Sequence, residues 1–129
     1  PCCHMMYQWV VATNGNLDMI WYQRSADWMV GVPSDIVLAA AWNILMAKAV
    51  GRKPGIITMM FGDAHIYKQH EEGAYKYLHN PILTDMSAYE LTGTDNIAPF
   101  ELFAQFGNAV KLSITDYRHA DPIKFEVLA

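Results

Sequence analysis

Cys3 stands beside His4 at the head of an apolar run, and this pair could support covalent chemistry. A thiol attacks as its thiolate, so it needs positive charge nearby to lower its pKa. The segment Trp21-Tyr22-Gln23-Arg24-Ser25-Ala26-Asp27 offers that charge in Arg24, with a hydroxyl and a carboxylate, directly after a second apolar run. The planar guanidinium suits a phosphate, to which Ser25 can donate a further hydrogen bond. Plainer readings stand beside these. A cysteine is often only a small buried hydrophobe, and Arg24 to Asp27 can be a solvated strand end. Asp35 reads as a helix cap lying on the helix dipole, and His65 and Tyr67 read as ordinary residues at a helix start.

Several chemistries are excluded. His65 and His70 lie five apart and share no helix face, so they form no metal pair of the HExxH kind, and a structural metal site is rejected. The glycines form neither a phosphate-cradling loop nor a dinucleotide fingerprint. Cys2 and Cys3 are adjacent and cannot form an ordinary disulfide, which places the chain in a reducing compartment, the cytoplasm.

The elements that must hold these residues follow from pattern. The 129 residues are 53% hydrophobic and 17% charged, which excludes disorder and leaves room for a real core. The net charge of −4 gives no basic footprint for nucleic acid. Asp18, Gln23, Arg24 and Asp27 interrupt the first apolar stretch, and Asn43 and Lys48 the second, so no run reaches the roughly 18 residues of a membrane span. Residues 5–12 and 17–23 predict two strands apolar on both faces, inside a covered sheet, with Asn14-Gly15 supplying the positive φ angles of the turn. A buried helix is expected over 36–50, capped by Ser34 or Asp35 and stopped by Gly51. A buried strand over 56–61 and a more polar helix over 65–78, ended by Pro81, come next. Strands near 87–91 and 109–114, a short helix near 99–106 and an irregular tail over 116–129 complete an α/β or α+β pattern.

Three segments together resemble the thymidylate synthase family. Pro1-Cys2-Cys3-His4 resembles its catalytic Pro-Pro-Cys-His motif, followed by an aromatic-rich strand. Gln23-Arg24-Ser25-Ala26-Asp27 with Gly31-Val32-Pro33 resembles its phosphate- and pyrimidine-binding segment. Gly62-Asp63-Ala64-His65-Ile66-Tyr67 resembles its ribose-binding segment. The motifs are in order, the tail from Tyr117 resembles the closing C-terminus, and the likeness is weakest between Pro81 and Asp116.

The resemblance implies a large mixed sheet with a long buried helix, of which this chain is the C-terminal part of one domain. It implies that Cys3 adds to C6 of a pyrimidine nucleotide, with His4 and Asp27 in the catalytic group. Gln23, Arg24, Ser25, Asp27, Asp35, His65 and Tyr67 would bind that nucleotide: Arg24 and Ser25 its phosphate, His65 and Tyr67 its sugar. The one-carbon donor would be 5,10-methylenetetrahydrofolate, met by Asp27, Leu128 and Ala129, with Val127 to Ala129 as a lid. A homodimer packed sheet to sheet is implied. So is an upstream portion carrying the general-base glutamate, the arginines donated across the dimer, and the residues that admit or exclude water.

The departures bear on the substrate. Cys2 replaces a proline, and Ser34-Asp35 stands where thymidylate synthases have Phe-Asn. An amide suits uracil, whose edge shows an acceptor and a donor, whereas a carboxylate only accepts and suits the amino group and protonated N3 of cytosine. Asp35 thus resembles the (deoxy)cytidylate hydroxymethylases of phages. Ser34, with Ala39 in place of a tyrosine, is expected to open space near the base. Thymidylate synthase, deoxyuridylate hydroxymethylase and a non-catalytic nucleotide-binding remnant stay open as alternatives.

Overall fold

The computed structural model describes residues 3–81 and 88–127. The elements run β1 (His4–Val11), β2 (Leu17–Gln23), β3 (Ala26–Asp27), α1 (Gly31–Ala49), β4 (Pro54–Phe61), β5 (Ala64–His65), α2 (Glu71–Leu78), β6 (Ala88–Thr92), α3 (Glu101–Gln105) and β7 (Lys111–Thr115), with a 3-10 turn over Lys68–His70. β2 is the centre of a three-stranded sheet, antiparallel to β1 and parallel to β4. α1 is the crossover between those parallel strands, as parallel pairing requires. The pattern is the mixed α/β one that the sequence predicts.

The β1–β2 turn differs in detail from expectation. Only Gly15 takes positive φ, at 85°, while the Asn14 side chain accepts the Asn16 N–H at 3.0 Å. A short polar side chain bonding two residues ahead makes the turn without a second left-handed residue.

Met19, Trp21 and Ala39 are fully buried between the sheet and α1, ringed by Tyr7, Trp9, Trp42, Ile57 and Met59. Burying a side chain the size of Trp21 contributes roughly 2–3 kcal/mol. Ala39 therefore sits under core aromatics and opens no space towards a base. A second cluster of Leu45, Leu102 and Val110 fastens α3 and the segment before β7 to the far half of α1.

α1 begins at Gly31, earlier than predicted, so Ser34 and Asp35 lie inside it and neither caps it. Asp27 Oδ1 accepts the Met29 and Val30 N–H groups at 2.9 and 3.3 Å and holds the chain as it enters the helix. Gly51, at φ 67°, closes the other end through its N–H to the Lys48 carbonyl at 3.2 Å. The expectation of a helix and sheet covered all round is corrected. Among the described residues α1 is covered from Ala39 to Ala47, while its first turns leave Ile36 and Val37 at 50% and 60% exposure, and the outer sheet face shows Met6, Val10, Ile56 and Met60. α1 is also long and apolar enough to cross a membrane by length and composition. Its place between paired strands makes it a core helix.

The predicted helix over 65–78 is broken. His65 belongs to β5, which pairs in parallel with β3 and sets His65 opposite Asp27. Helical structure proper starts at Glu71. On α2, Lys76 lies 2.7 Å from Glu72, and this hydrogen bond and charge hold the Glu72 carboxyl below the ordinary carboxylate range. The last strands fall at 88–92 and 111–115, and residues 117–127 are irregular as expected. Residue 87, at the predicted start of β6, lies outside the described residues.

Gly62 makes the β3–β5 approach possible. A Cβ there would lie 2.9 Å from the Arg24 carbonyl oxygen and 3.1 Å from the Tyr22 hydroxyl. Gly62→Ala must push backbone against backbone, so a loss of about 1–3 kcal/mol is expected. A thermal melt should show Tm lowered by roughly 4–10 °C; an unchanged melt refutes the close approach.

Candidate active site

The site residues gather where β1 starts and β2 and β4 end, the carboxyl edge of a parallel pair where ligands of open α/β sheets lie. The half-buried Cys3 accepts the Arg24 N–H with its carbonyl at 2.9 Å, so thiol and guanidinium sit on adjoining strand ends. The β1–β2 register shifts between His4 and Met6. Such a bulge re-aims a side chain. Here it turns the His4 ring onto the α1 side, edge-on to Trp21 at 4.5 Å and near Tyr7 at 6.5 Å.

From there a polar chain runs to α1. His4 Nε2 is 2.9 Å from Asp35 Oδ1, and Gln23 Nε2 donates to Asp35 Oδ2 at 2.9 Å. The same Gln23 amide donates to the Ser25 carbonyl at 2.8 Å, and its Oε1 accepts the Trp21 indole N–H at 3.2 Å. With both amide hydrogens used, the buried Gln23 holds Asp35 and shapes the turn at Ser25 instead of facing a ligand. Asp35, half-buried on the first turns of α1, is thus a member of the site and not a cap. A carboxylate has about four acceptor positions, so two remain after His4 and Gln23.

The phosphate-side and sugar-side segments are zipped together. Gly62 N–H donates to the Gln23 carbonyl at 2.9 Å, Asp63 N–H to Arg24 at 3.1 Å, Ala26 N–H to Asp63 at 2.8 Å and Trp28 N–H to His65 at 3.0 Å. This ladder sets Arg24, Ser25, Asp27 and His65 along one edge. His65 Nδ1 is 3.2 Å from Asp63 Oδ2, and its ring meets Tyr67 edge-on at 5.0 Å. Asp27 spends Oδ1 on the entry to α1, leaving Oδ2 as its oxygen not engaged with those amides.

Beside this edge, Met29, Pro33, Tyr77, Tyr117 and Phe125 help line a cleft of about 600 Å³. Its aromatic walls fit a flat heteroaromatic group, and Asn80, Arg118, His119 and Asp121 add polar groups to its lining. Leu128 and Ala129 lie outside the described residues. Among the described residues no group of three His, Cys, Asp or Glu is placed to hold a metal ion. The residue that the sequence does not mark is His70, only 3% exposed, whose Nε2 lies 2.9 Å from the Glu126 carbonyl oxygen. That partner is 56 residues away, and no local pattern reveals it.

Known proteins share this sequence pattern and fold. The family model described as thymidylate synthase matches residues 1–129. A thymidylate synthase of Cereibacter sphaeroides is 40% identical over 74 residues, 57% of this chain and 25% of the relative. That of Zymomonas mobilis is 43% identical over 70 residues, 54% of this chain and 24% of the relative. Among solved structures, thymidylate synthase from T4 phage superposes with TM-score 0.81 at 28% identity, over 98% of this chain and 46% of its own. Thermostable thymidylate synthase A from Bacillus subtilis gives 0.78 at 19% identity, over 98% of this chain and 42% of its own, a likeness of fold alone. The matches thus span about a quarter of these curated relatives and under half of the solved chains. Matched by the family model from end to end, this chain belongs to the thymidylate synthase family, whose members use 5,10-methylenetetrahydrofolate as cosubstrate.

Proposed function

We propose that the complete protein is a (deoxy)cytidylate 5-hydroxymethyltransferase, and the observation that carries this reading is the Asp35 carboxylate held between His4 and Gln23. Two donors converge on residue 35. An amide there would turn its own NH2 towards one of them unless His4 changed tautomer, whereas a carboxylate accepts from both and keeps His4 protonated at Nε2. The two remaining acceptor positions suit the amino group and protonated N3 of cytosine.

In this reading Arg24 and Ser25 hold the nucleotide phosphate. The Cys3 sulfur bonds to C6, and the electron pair released across C5–C6 makes C5 nucleophilic. Methylenetetrahydrofolate supplies the one-carbon unit that C5 takes up. C5 would then give up its proton as the carbon–nitrogen bond to the folate breaks and tetrahydrofolate leaves with that electron pair; water would add to the freed one-carbon group, and the sulfur would leave C6 with its bonding pair. Asp27, through Oδ2, stands between nucleotide and folate. Met29, Pro33, Tyr77 and Phe125 would hold the folate rings. His65 and Tyr67 bind the sugar, and the terminal Val127, Leu128 and Ala129 would meet the folate. The protein works as a cytoplasmic homodimer joined through the apolar outer sheet face of Met6, Val10, Ile56 and Met60.

A second reading is thymidylate synthase, the name carried by each relative given above, or its neighbour in base preference, a deoxyuridylate hydroxymethylase. Tritium release from C5-labelled deoxycytidylate and deoxyuridylate separates the two. Faster release from the cytidylate is expected; faster release from the uridylate removes the substrate claim.

A further inference from the structure

His70 is the one buried histidine among the described residues, and the chemistry above gives it nothing to do. It sits just ahead of α2, and three groups converge on it. Its Nε2 lies 2.9 Å from the Glu126 carbonyl oxygen. Its ring meets Phe125 edge-on at 5.2 Å and Tyr67 edge-on at 5.9 Å. Phe125 in turn lies over Gly73, where a Cβ would come within 2.4 Å of its ring. Only a glycine lets the phenyl ring settle there. His65, Tyr67, His70 and Phe125 therefore form an unbroken series of edge-on rings, with centroid spacings of 5.0, 5.9 and 5.2 Å. Spacings of this kind are the attractive geometry for aromatic pairs. The series starts at the residue paired with Asp27 and ends on the strap of residues 121–127 beside the cleft.

We propose that His70 is a positioning residue that clasps this strap and links its seating to occupancy of the sugar end of the site through Tyr67. The clasp stands on geometry alone; the link to ligand rests on the nucleotide reading above. The Nε2–H donates to the Glu126 carbonyl, the ring gives Phe125 a wall opposite Gly73, and Tyr67 packs on the other edge. A sugar that fixes Tyr67 narrows the positions open to His70, which in turn holds the strap closed. Losing the clasp frees one end of the strap and leaves the sheet untouched.

Trypsin cleavage of the Lys124–Phe125 bond in the complete protein, followed by mass spectrometry, tests this, because cleavage tracks the population of the opened strap. Without ligand, His70→Ala and Gly73→Ala should each be cut about tenfold faster than the parent. His70→Gln, which keeps a donor at similar reach, should be cut at close to the parent rate. Equal rates in all four proteins overturn the clasp, and so does an equal rise at Arg24 and Lys48, which means general loosening. Adding deoxycytidylate or deoxyuridylate should slow the cut about fivefold in the parent and leave His70→Ala unchanged. A nucleotide that binds by equilibrium dialysis without slowing the cut overturns the link. If neither nucleotide binds, the nucleotide reading and the link fall together, while the ligand-free difference still upholds the clasp.

Discussion

Cys3→Ser should abolish the covalent complex with a 5-fluoropyrimidine nucleotide and folate, and lower turnover by at least about 10³-fold. The reason is the anion. A serine hydroxyl is not ionised at neutral pH, whereas thiols as a class ionise far more readily, and the thiolate is the stronger nucleophile. Arg24 sits on the adjoining strand end, with its N–H on the Cys3 carbonyl at 2.9 Å. The backbone that carries Cys3 is fixed by this bond, so the variant should fold as the parent does. Intact-mass measurement on the complete protein reads the result directly: one nucleotide and one folate added to the parent, none added to the variant. Thermal melts of both proteins guard against trivial unfolding. A parent with no adduct on Cys3 sinks the covalent mechanism and leaves the remnant reading in its place.

Asp35→Asn should turn the base preference from cytidylate towards uridylate by about 10²–10⁴-fold in the ratio of kcat/KM values. A closed site with fixed polar groups rejects a mismatched edge on this scale, because the mismatch leaves buried groups unpaired. The variant keeps size and shape but converts one acceptor into a donor. One of His4 Nε2 and Gln23 Nε2 must then reorient, so the His4 tautomer is expected to change with the substrate preference. Tritium release from both labelled nucleotides measures the ratio, and the imidazole nitrogen shifts in NMR report the tautomer. If the ratio is unchanged while the nitrogen shifts move, Asp35 serves only to hold His4.

Local chemistry left each segment of this site open, and it was the joint resemblance of the segments to one family that singled them out in the sequence. The cysteine–histidine pair, the Gln23 to Asp27 segment and the Gly62 to Tyr67 segment stand on one edge because short strands carry them there. The start of α1 was not readable. Pro33 resembles a first helical residue, but proline is tolerated throughout a first turn. The true start depends on Asp27 reaching forward to Met29 and Val30. The helical pattern at His65 yields to a pairing with Asp27, a contact no local rule contains. Three facts were likewise hidden in distant contacts: the bulge that re-aims His4, the spending of Gln23 on its neighbours, and the burial of His70. The apolar residues of α1 are distributed all round it, which says how much surface wants cover but not what covers it.

The pairing of Asp27 with His65 also bears on what it costs to close the chain. It closes a circuit of chain that contains α1 and β4, of the same length as the one closed by pairing Gln23 of β2 with Phe61 of β4. Closing so long a circuit costs entropy before any contact repays it. Once β4 has joined β2, the two-residue pairing of β3 with β5 adds little further loop cost, and a ligand spanning that edge would stabilise the folded chain by mass action.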